Sequence, residues 1–366
     1  MRIETLSSES ELEGVAASWD DLVSAMPRPS PFLLHGWLLE WWRYYGTDAE
    51  LTVHVAYRGG QPVGALPLAV RRRHGLRVSE FVGGTWALLA DVLVVPGEEE
   101  ASLARALAGR AASSRHDFVS LFGLTESSRL VAALPKGALR LIERVEAPVL
   151  DLSAGWAHVS GTKLSPKAHS TRRRRRRQLE KLGKVEASLA RTREELEPAL
   201  EEAFRVYALR WEGRHDPSGF VTPTGTRFHR AALLRLADQD VVRLVTIRLD
   251  GRAIAFALAL QLSGRTYGLT KAFDPEYGRF SAGSEAKLLS LEAAADEGMG
   301  RAELLGAAAF HERSLTDRFE PIYQGIGLAR TLRGRAAAAV LLGGIRARRA
   351  IKRSETARKL YYRVRR

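Results

Sequence analysis

The stretch Val241–Gly298, VVRLVTIRLDGRAIAFALALQLSGRTYGLTKAFDPEYGRFSAGSEAKLLSLEAAADEG, decides the fold. Residues 241–273 read strand–turn–strand–turn–strand. Apolar runs rich in Val, Ile, Leu and Ala are cut at Asp250-Gly251 and Ser263-Gly264, pairs that suit tight hairpins. Residues 274–284 bring Pro, Gly and Ser together and read as a loop. A helix is predicted from about 284 to 298, and AELLG (302–306) reads as a further strand. Small residues at a helix start let successive backbone N–H groups approach an anion, and the helix dipole adds partial positive charge there. Arg279, Phe280, Ser281, Ala282, Gly283 and Ser284 are therefore a candidate phosphate cradle, Arg279 adding a charged contact.

Upstream the pattern recurs. AYRGGQPVGALPLAV (56–70) matches IRLDGRAIAFALAL (247–260) at an offset of 191, with Gly60 on Gly251, Val63 on Ile254 and Gly64 on Ala255. LTVHVAY (51–57) and PVGALPLAV read as strands around a turn, and LRVSEFVG and ADVLVV continue the sheet. A helix over about 98–113 and the strand FVSLFG close the unit. A repeat this long suits duplication of a whole domain. The expected division is an N-terminal domain over 1–150, an inter-domain strand and basic helix over 151–184, a second domain over 185–328 and a tail over 329–366. In the first domain the equivalent loop, VVPGEEEAS (94–102), carries three glutamates that would repel phosphate.

Before the first hairpin, Leu12, Val15, Trp19, Leu22 and Val23 fall on one helical face. Pro27, Pro29 and Pro31 end that helix. A second helix is expected from about Phe32 to Tyr45, its stripe of Trp37, Trp41, Trp42 and Tyr45 reading as core. Gly325-Ile326-Gly327 reads as a turn.

The chain has 366 residues and a net charge of +14. Residues 163–184 contribute +9 and residues 330–366 contribute +12, so the rest of the chain is acidic at −7. Clustered positive charge attracts phosphate or anionic lipid. Cysteine is absent, which excludes disulfides and thiolate chemistry. No GxxxxGK[ST], HExxH or GxSxG motif occurs. The N-terminus lacks the apolar core of a signal peptide, and the run Ala336–Ile345 is too short to span a bilayer. A cytoplasmic protein, at most peripheral on the inner face of the membrane, is expected.

Four stretches in order resemble the tandem-domain GNAT acyltransferases, the cellulose-biosynthesis-type group related to Fem peptidoglycan aminoacyltransferases. They are PFLLHGWLLEWWRYYG, RGGQPVGALPL, the inter-domain segment from PVLDLSAGW to KLGKV, and YGLTKAFDPEYGRFSAGSEAKLLSLEAAADEGM. The resemblance covers roughly residues 1–325. It implies an α/β fold of two tandem GNAT-like domains, each a mixed, mostly antiparallel sheet flanked by helices, followed by a basic helical tail. It implies transfer of an acyl group, acetyl first, from acyl-CoA to an amine on a sugar, nucleotide sugar or envelope precursor, with no metal. A Fem-type aminoacyl transfer from charged tRNA, and an inactive pair binding acidic partners, stay open beside it. Where the group often carries an aromatic and a Lys after the late strand–Gly, this chain has Phe310 and His311.

On this resemblance Leu269, Thr270 and Lys271 belong to the strand that holds pantetheine, and residues 279–284 hold the pyrophosphate. Candidates for proton transfer are Glu303 and His311 as bases, Tyr267 as the donor to the leaving thiolate, and Asp274. The first domain, without a phosphate loop, is expected to shape the acceptor site. The run Arg172–Arg177 is expected to lie between the domains, away from the cofactor loop, and to face a phosphate-bearing acceptor. The tail is expected to be helical, interrupted at Gly343-Gly344, dispensable for folding, and suited to an anionic membrane through its arginines, Tyr361 and Tyr362. Nucleic acid is expected as a partner only as tRNA.

Overall fold

The computed structural model describes residues 1–353 apart from 98, 114, 214–218 and 307–314. In chain order the first half contains β1 (Arg2–Leu6), α1 (Glu9–Glu13), α2 (Ala16–Ser24), α3 (His35–Tyr45), β2 (Ala49–Arg58), β3 (Gln61–Arg73), β4 (Leu76–Phe81), β5 (Leu93–Val94), α4 (Glu100–Ser113), β6 (Phe118–Leu124), α5 (Arg129–Ala133) and β7 (Leu139–Asp151). The second contains α6 (Gly155–Lys163), α7 (Pro166–Glu180), β8 (Val185–Ala190), α8 (Arg193–Trp211), α9 (Pro223–Ala237), β9 (Val242–Leu249), β10 (Arg252–Leu262), β11 (Arg265–Phe273), α10 (Ala282–Asp296), β12 (Arg301–Glu303) and β13 (Phe319–Gly327). A last helix, α11, spans Leu332–Arg353.

The strands form one mixed sheet in the order β1-β2-β3-β4-β6-β13-β7-β12-β11-β10-β9-β8, with β5 beside β3. Among the described residues only β4–β6 and β11–β12 pair in parallel. The repeat read from sequence is the same hairpin twice. Gly59-Gly60 and Asp250-Gly251 turn the chain with φ of 55° and 81° in the first and 49° and 79° in the second, the left-handed pair a two-residue hairpin needs. Both hairpins also skip one residue. Ala56 faces Gly64 and Tyr57 faces Pro62, leaving Val63 as a bulge. Ile247 faces Ala255 and Arg248 faces Ala253, leaving Ile254.

Two strands cross the expected domain boundaries. β13, late in the chain, inserts between β6 and β7 of the first half. The end of β7, Val149–Asp151, pairs instead with β12. Gly325-Ile326-Gly327 is therefore strand and not turn. A Cβ on Gly325 would come within 2.8 Å of Leu124, and one on Gly327 would overlap the Ala138 carbonyl, so packing dictates these glycines. ADVLVV supplies only the two-residue β5, and the first predicted helix breaks into α1 and α2.

One apolar core runs through both halves. Trp37 on α3 is fully buried and meets Phe228 on α9 edge to face at 5.0 Å. Truncating a side chain of this size in a core costs about 3–5 kcal/mol. The aromatic stripe is thus the seam between the halves. Glu40 on α3 holds Arg235 on α9 at 2.9 Å beside it.

The tail is not a loose appendage over its described length. Asp117 accepts hydrogen bonds from Thr331 Oγ1 at 2.7 Å and Arg333 Nε at 2.8 Å. Gly334 sits against the Asp117 carbonyl, and Ala338, Leu341, Leu342 and Ile345 pack on Val78, Phe118, Ile142 and Ile326. α11 continues through Gly343-Gly344, because this packed face outweighs the weak propensity of two glycines. Truncation before it would bare that patch, which argues against a tail dispensable for folding. No helix among the described residues is long and apolar enough to cross a membrane. Tyr361 and Tyr362 lie outside the described residues.

Candidate active site

The site forms where β11 and β12 part. Their parallel ladder runs Arg265–Arg301, Thr266–Ala302, Tyr267–Glu303 and then stops. β11 continues to Phe273 with only β10 beside it among the described residues. A bulge at Leu269 helps turn it: Ala259 faces Gly268 and Leu258 faces Thr270. After Glu303, β12 gives way to a tight turn in which Leu305 has φ +52° and the Gly306 N–H donates to the Leu304 carbonyl at 2.6 Å. A Cβ on Gly268 would find nothing nearer than 3.8 Å, at Leu304. Leu269, Thr270 and Lys271 therefore line the open edge of the gap.

β11 leads into a 3-10 turn, Pro275–Phe280, and then α10. Asp274 is buried. It accepts from Glu276 N–H at 3.1 Å and pairs with Arg252 at 3.1 Å. These two contacts fix the turn. Ser281 is left-handed at φ +58°, and no side chain caps α10. The Ser284 N–H donates to the Ser281 carbonyl at 3.0 Å, which leaves the N–H groups of Ala282 and Gly283 for an incoming acceptor. Arg279 stacks on Phe280, its guanidinium 4.7 Å from the ring centroid.

Gly283 does not face the mouth. A Cβ there would come within 2.9 Å of Phe273, so this glycine lets the helix close on β11. Ser281, Ala282 and Ser284 are the loop residues that line the adjoining cleft.

The arginine run lies beside this loop, which corrects the expectation that it lies away from it. Ala168, Thr171, Arg172, Arg175 and Leu179 form the inward face of α7. Arg172 makes a two-pronged ion pair with Glu285 on α10, at 2.6 and 2.7 Å. Arg175 donates to Ser281 Oγ at 2.6 Å. Arg173, Arg174 and Arg177 are exposed. Six arginines in a row gave no hint which two face inward; the spacing of Ala168, Thr171 and Leu179 around them did.

At the closed end of the gap the first half intrudes. Glu303 has no exposed surface and meets Arg28 at 2.6 Å, Arg301 at 2.8 Å and Arg265 at 3.2 Å. Through these three ion pairs Glu303 ties the halves together. Tyr267 donates its hydroxyl to the Pro29 carbonyl and meets Phe32 edge to face at 6.5 Å. Burial, and then the charge of Glu303, push its hydroxyl well above the ordinary phenol range. In this arrangement the hydroxyl proton is held by Pro29. His311 lies outside the described residues. The partners Arg28 and Pro29 carry no sequence signal, because only the fold brings them to this point.

The cleft mouth, the splayed strands and the uncapped helix are the parts that a GNAT domain uses. The Acetyltransferase (GNAT) domain family model matches residues 166–313. Over these residues the chain is similar to the acetyltransferase domains of the GNAT family. No curated protein sequence matches the chain. The fold of the whole chain is similar to that of FemX, with 11% identity, a TM-score of 0.59 and coverage of 88% of this chain and 97% of that one. It is also similar to L-PGS from Bacillus licheniformis, with 12% identity, a TM-score of 0.55 and coverage of 93% and 99%. These two likenesses extend over both halves of the chain and concern the fold alone.

Proposed function

We propose that the chain is an N-acyltransferase that moves an acyl group, acetyl first, from acyl-CoA to an amine on a sugar, nucleotide sugar or cell-envelope precursor. The observation that carries this reading is the open gap beyond Tyr267 and Glu303, which leads to a helix start with no side-chain cap. Acyl-CoA supplies an activated thioester. Beyond Tyr267, β11 has no second strand beside it among the described residues, and Leu269 and Thr270 there can offer backbone groups to an extended amide chain. Ala282 and Gly283 offer backbone N–H groups to a pyrophosphate, and Ser281 and Ser284 offer hydroxyls. Transfer forms one C–N bond and breaks one C–S bond. The proton lost by the amine balances the one taken up by the thiolate, and water or His311 can carry it. Pro27–Phe32 from the first half borders the closed end of the gap, where the acceptor amine would arrive.

A second reading is favoured by the exposed Arg173, Arg174 and Arg177 next to the loop. They suit the backbone of a charged tRNA, as in Fem-type aminoacyl transfer. Peripheral contact with an anionic membrane through the arginines, Leu332 and Val340 exposed on α11 fits either reading. Calorimetric titration of the full chain with acetyl-CoA and, separately, with tRNA tests these readings. Micromolar binding of acetyl-CoA, with product formed on an amino-sugar panel, is expected. Binding of tRNA without acetyl-CoA would favour the second reading. Binding of acidic partners with no turnover would leave an inactive pair.

A further inference from the structure

A cleft of about 710 Å³ lies between α7 and the first turns of α10 and extends toward the β8 edge of the sheet. Its walls are aliphatic, built by Leu164, Leu179, Val185, Ile247, Leu288 and Leu289. Among the described residues its one aromatic is Phe280, which is buried with the Arg279 guanidinium over its ring. The described walls therefore offer no free stacking platform of the kind that base recognition commonly uses.

The mouth has a different chemistry. Lys167, Thr171 and Arg175 line it at four-residue spacing along α7, about 12 Å from end to end at 1.5 Å per residue. The neighbouring cations are already neutralised, Arg172 by Glu285 and Arg176 by Glu180. Lys167 and Arg175 have no carboxylate partner among the described residues, and Arg175 donates only to the Ser281 hydroxyl. An aliphatic hollow with two uncompensated cations at its rim is complementary to one kind of molecule: an apolar chain that ends in an anion.

We propose that this cleft binds a lipid-type phosphate, its aliphatic chain along the Leu, Val and Ile walls and its phosphate on Lys167 and Arg175. The site adjoins the cofactor loop without being the gap between β11 and β12. It deepens the acyltransferase reading by naming the acceptor class as an amine carried on a lipid-linked phosphate. Only that last step rests on the reading; binding itself does not.

The probe is dodecyl phosphate, titrated calorimetrically into the full chain below its micelle concentration, with dodecyl maltoside and inorganic phosphate as separate arms. Dodecyl phosphate is expected to bind at least tenfold tighter than either. Arg175→Gln should weaken it about tenfold. Ala187→Trp should abolish it, because Ala187 is exposed on the edge strand and lines the cleft, so a large side chain there fills the hollow without entering the core. Ala168→Phe fills it from α7 and serves if Ala187→Trp does not fold. Equal binding of dodecyl maltoside would overturn the proposal, as would wild-type affinity in all the variants. It would also be overturned if coenzyme A displaced dodecyl phosphate one for one and Ala187→Trp lost both ligands alike, because the cleft would then be part of the CoA seat. A chain that binds dodecyl phosphate but never acetyl-CoA would keep this site and remove the acyltransferase reading.

Discussion

The two halves build the same gap and treat it in opposite ways. In the first half β4 and β6 pair in parallel only at Val78–Phe118 and Ser79–Val119 before they part. The chain then fills the opening with itself. The Ala90 N–H donates to the Gly123 carbonyl at 3.0 Å, and Ala87, Leu89, Ala90 and Val92 are buried. Gly123 sits at φ +94°, and a Cβ there would overlap the Ala87 carbonyl. The helix that follows starts acidic, with Glu99 paired to Arg58 and Glu100 paired to Arg129 at 2.5 Å. In the second half the gap between β11 and β12 stays open among the described residues, and the helix beyond it starts with Ser281, Ala282 and Gly283 under an arginine. A splayed strand pair becomes a site only where the chain leaves it empty and sets a non-acidic helix start at its mouth. The half that lost its gap kept another task, closing off the end of its neighbour's through Arg28 and Pro29.

The largest effect is expected where the halves are tied. Glu303→Ala leaves Arg28, Arg265 and Arg301 without their shared carboxylate, and removing one partner of a buried ion pair costs about 3–5 kcal/mol. Thermal or urea unfolding should show that loss; a change within experimental error would mean the halves are held by the core alone.

A matched pair of substitutions compares the gaps themselves. Gly123→Ala should destabilise by about 1–3 kcal/mol, because the added methyl overpacks the filled gap. Gly268→Ala adds the same methyl to the open gap, should leave the melting temperature nearly unchanged and should weaken acetyl-CoA binding. If Gly268→Ala destabilised as much as Gly123→Ala, the second gap would not be open.

Next in size is the helix start. Ser284→Glu sets a carboxylate at the mouth and should weaken acetyl-CoA about tenfold, or about 1.4 kcal/mol, in a protein that melts normally. Gly283 cannot serve in this test, since its substitution strikes Phe273. Undiminished binding by Ser284→Glu would move the phosphate site elsewhere.

The smallest effect is a pH dependence in the first half. The hydrogen bond from Arg333, with others from Arg77 N–H and Thr331, holds the Asp117 carboxyl down at about 2, below the ordinary value near about 3.9. A lowered pKa in the folded chain adds stability that is complete above the ordinary value and is lost as pH falls toward 2. Proteolytic clipping near residue 330 should therefore rise between about pH 4 and 2 (an acid-active protease is required). Asp117→Asn should flatten that rise.

Much of the fold was legible because its signals are local. The Gly59-Gly60 and Asp250-Gly251 turns, the strands around them and the helix after the loop depend on residues close in sequence. β13 was not legible: Pro321, Gly325 and Gly327 hide its pattern, and its place depends on partners in β6 and β7. The exchange of strands between the halves follows from the same long-range pairing. At the site, the loop 279–284 was legible from its small residues. Its small residues do not tell which side each takes: Gly283 lies in the first turn of α10 against Phe273 on β11. Glu303 and Tyr267 looked like chemistry because their types suit it; their burial against Arg28 and Pro29 is set by contacts more than two hundred residues apart in the chain.

The central claim is that one gap of two takes acyl-CoA. Calorimetric titration of the intact chain with acetyl-CoA tests it most directly, beside the variants Gly268→Ala and Glu100→Gln. The account predicts one site per chain, weakened by Gly268→Ala and untouched by Glu100→Gln at the first-half helix start. Two sites per chain, or a single site that responds to Glu100→Gln and not to Gly268→Ala, would contradict it.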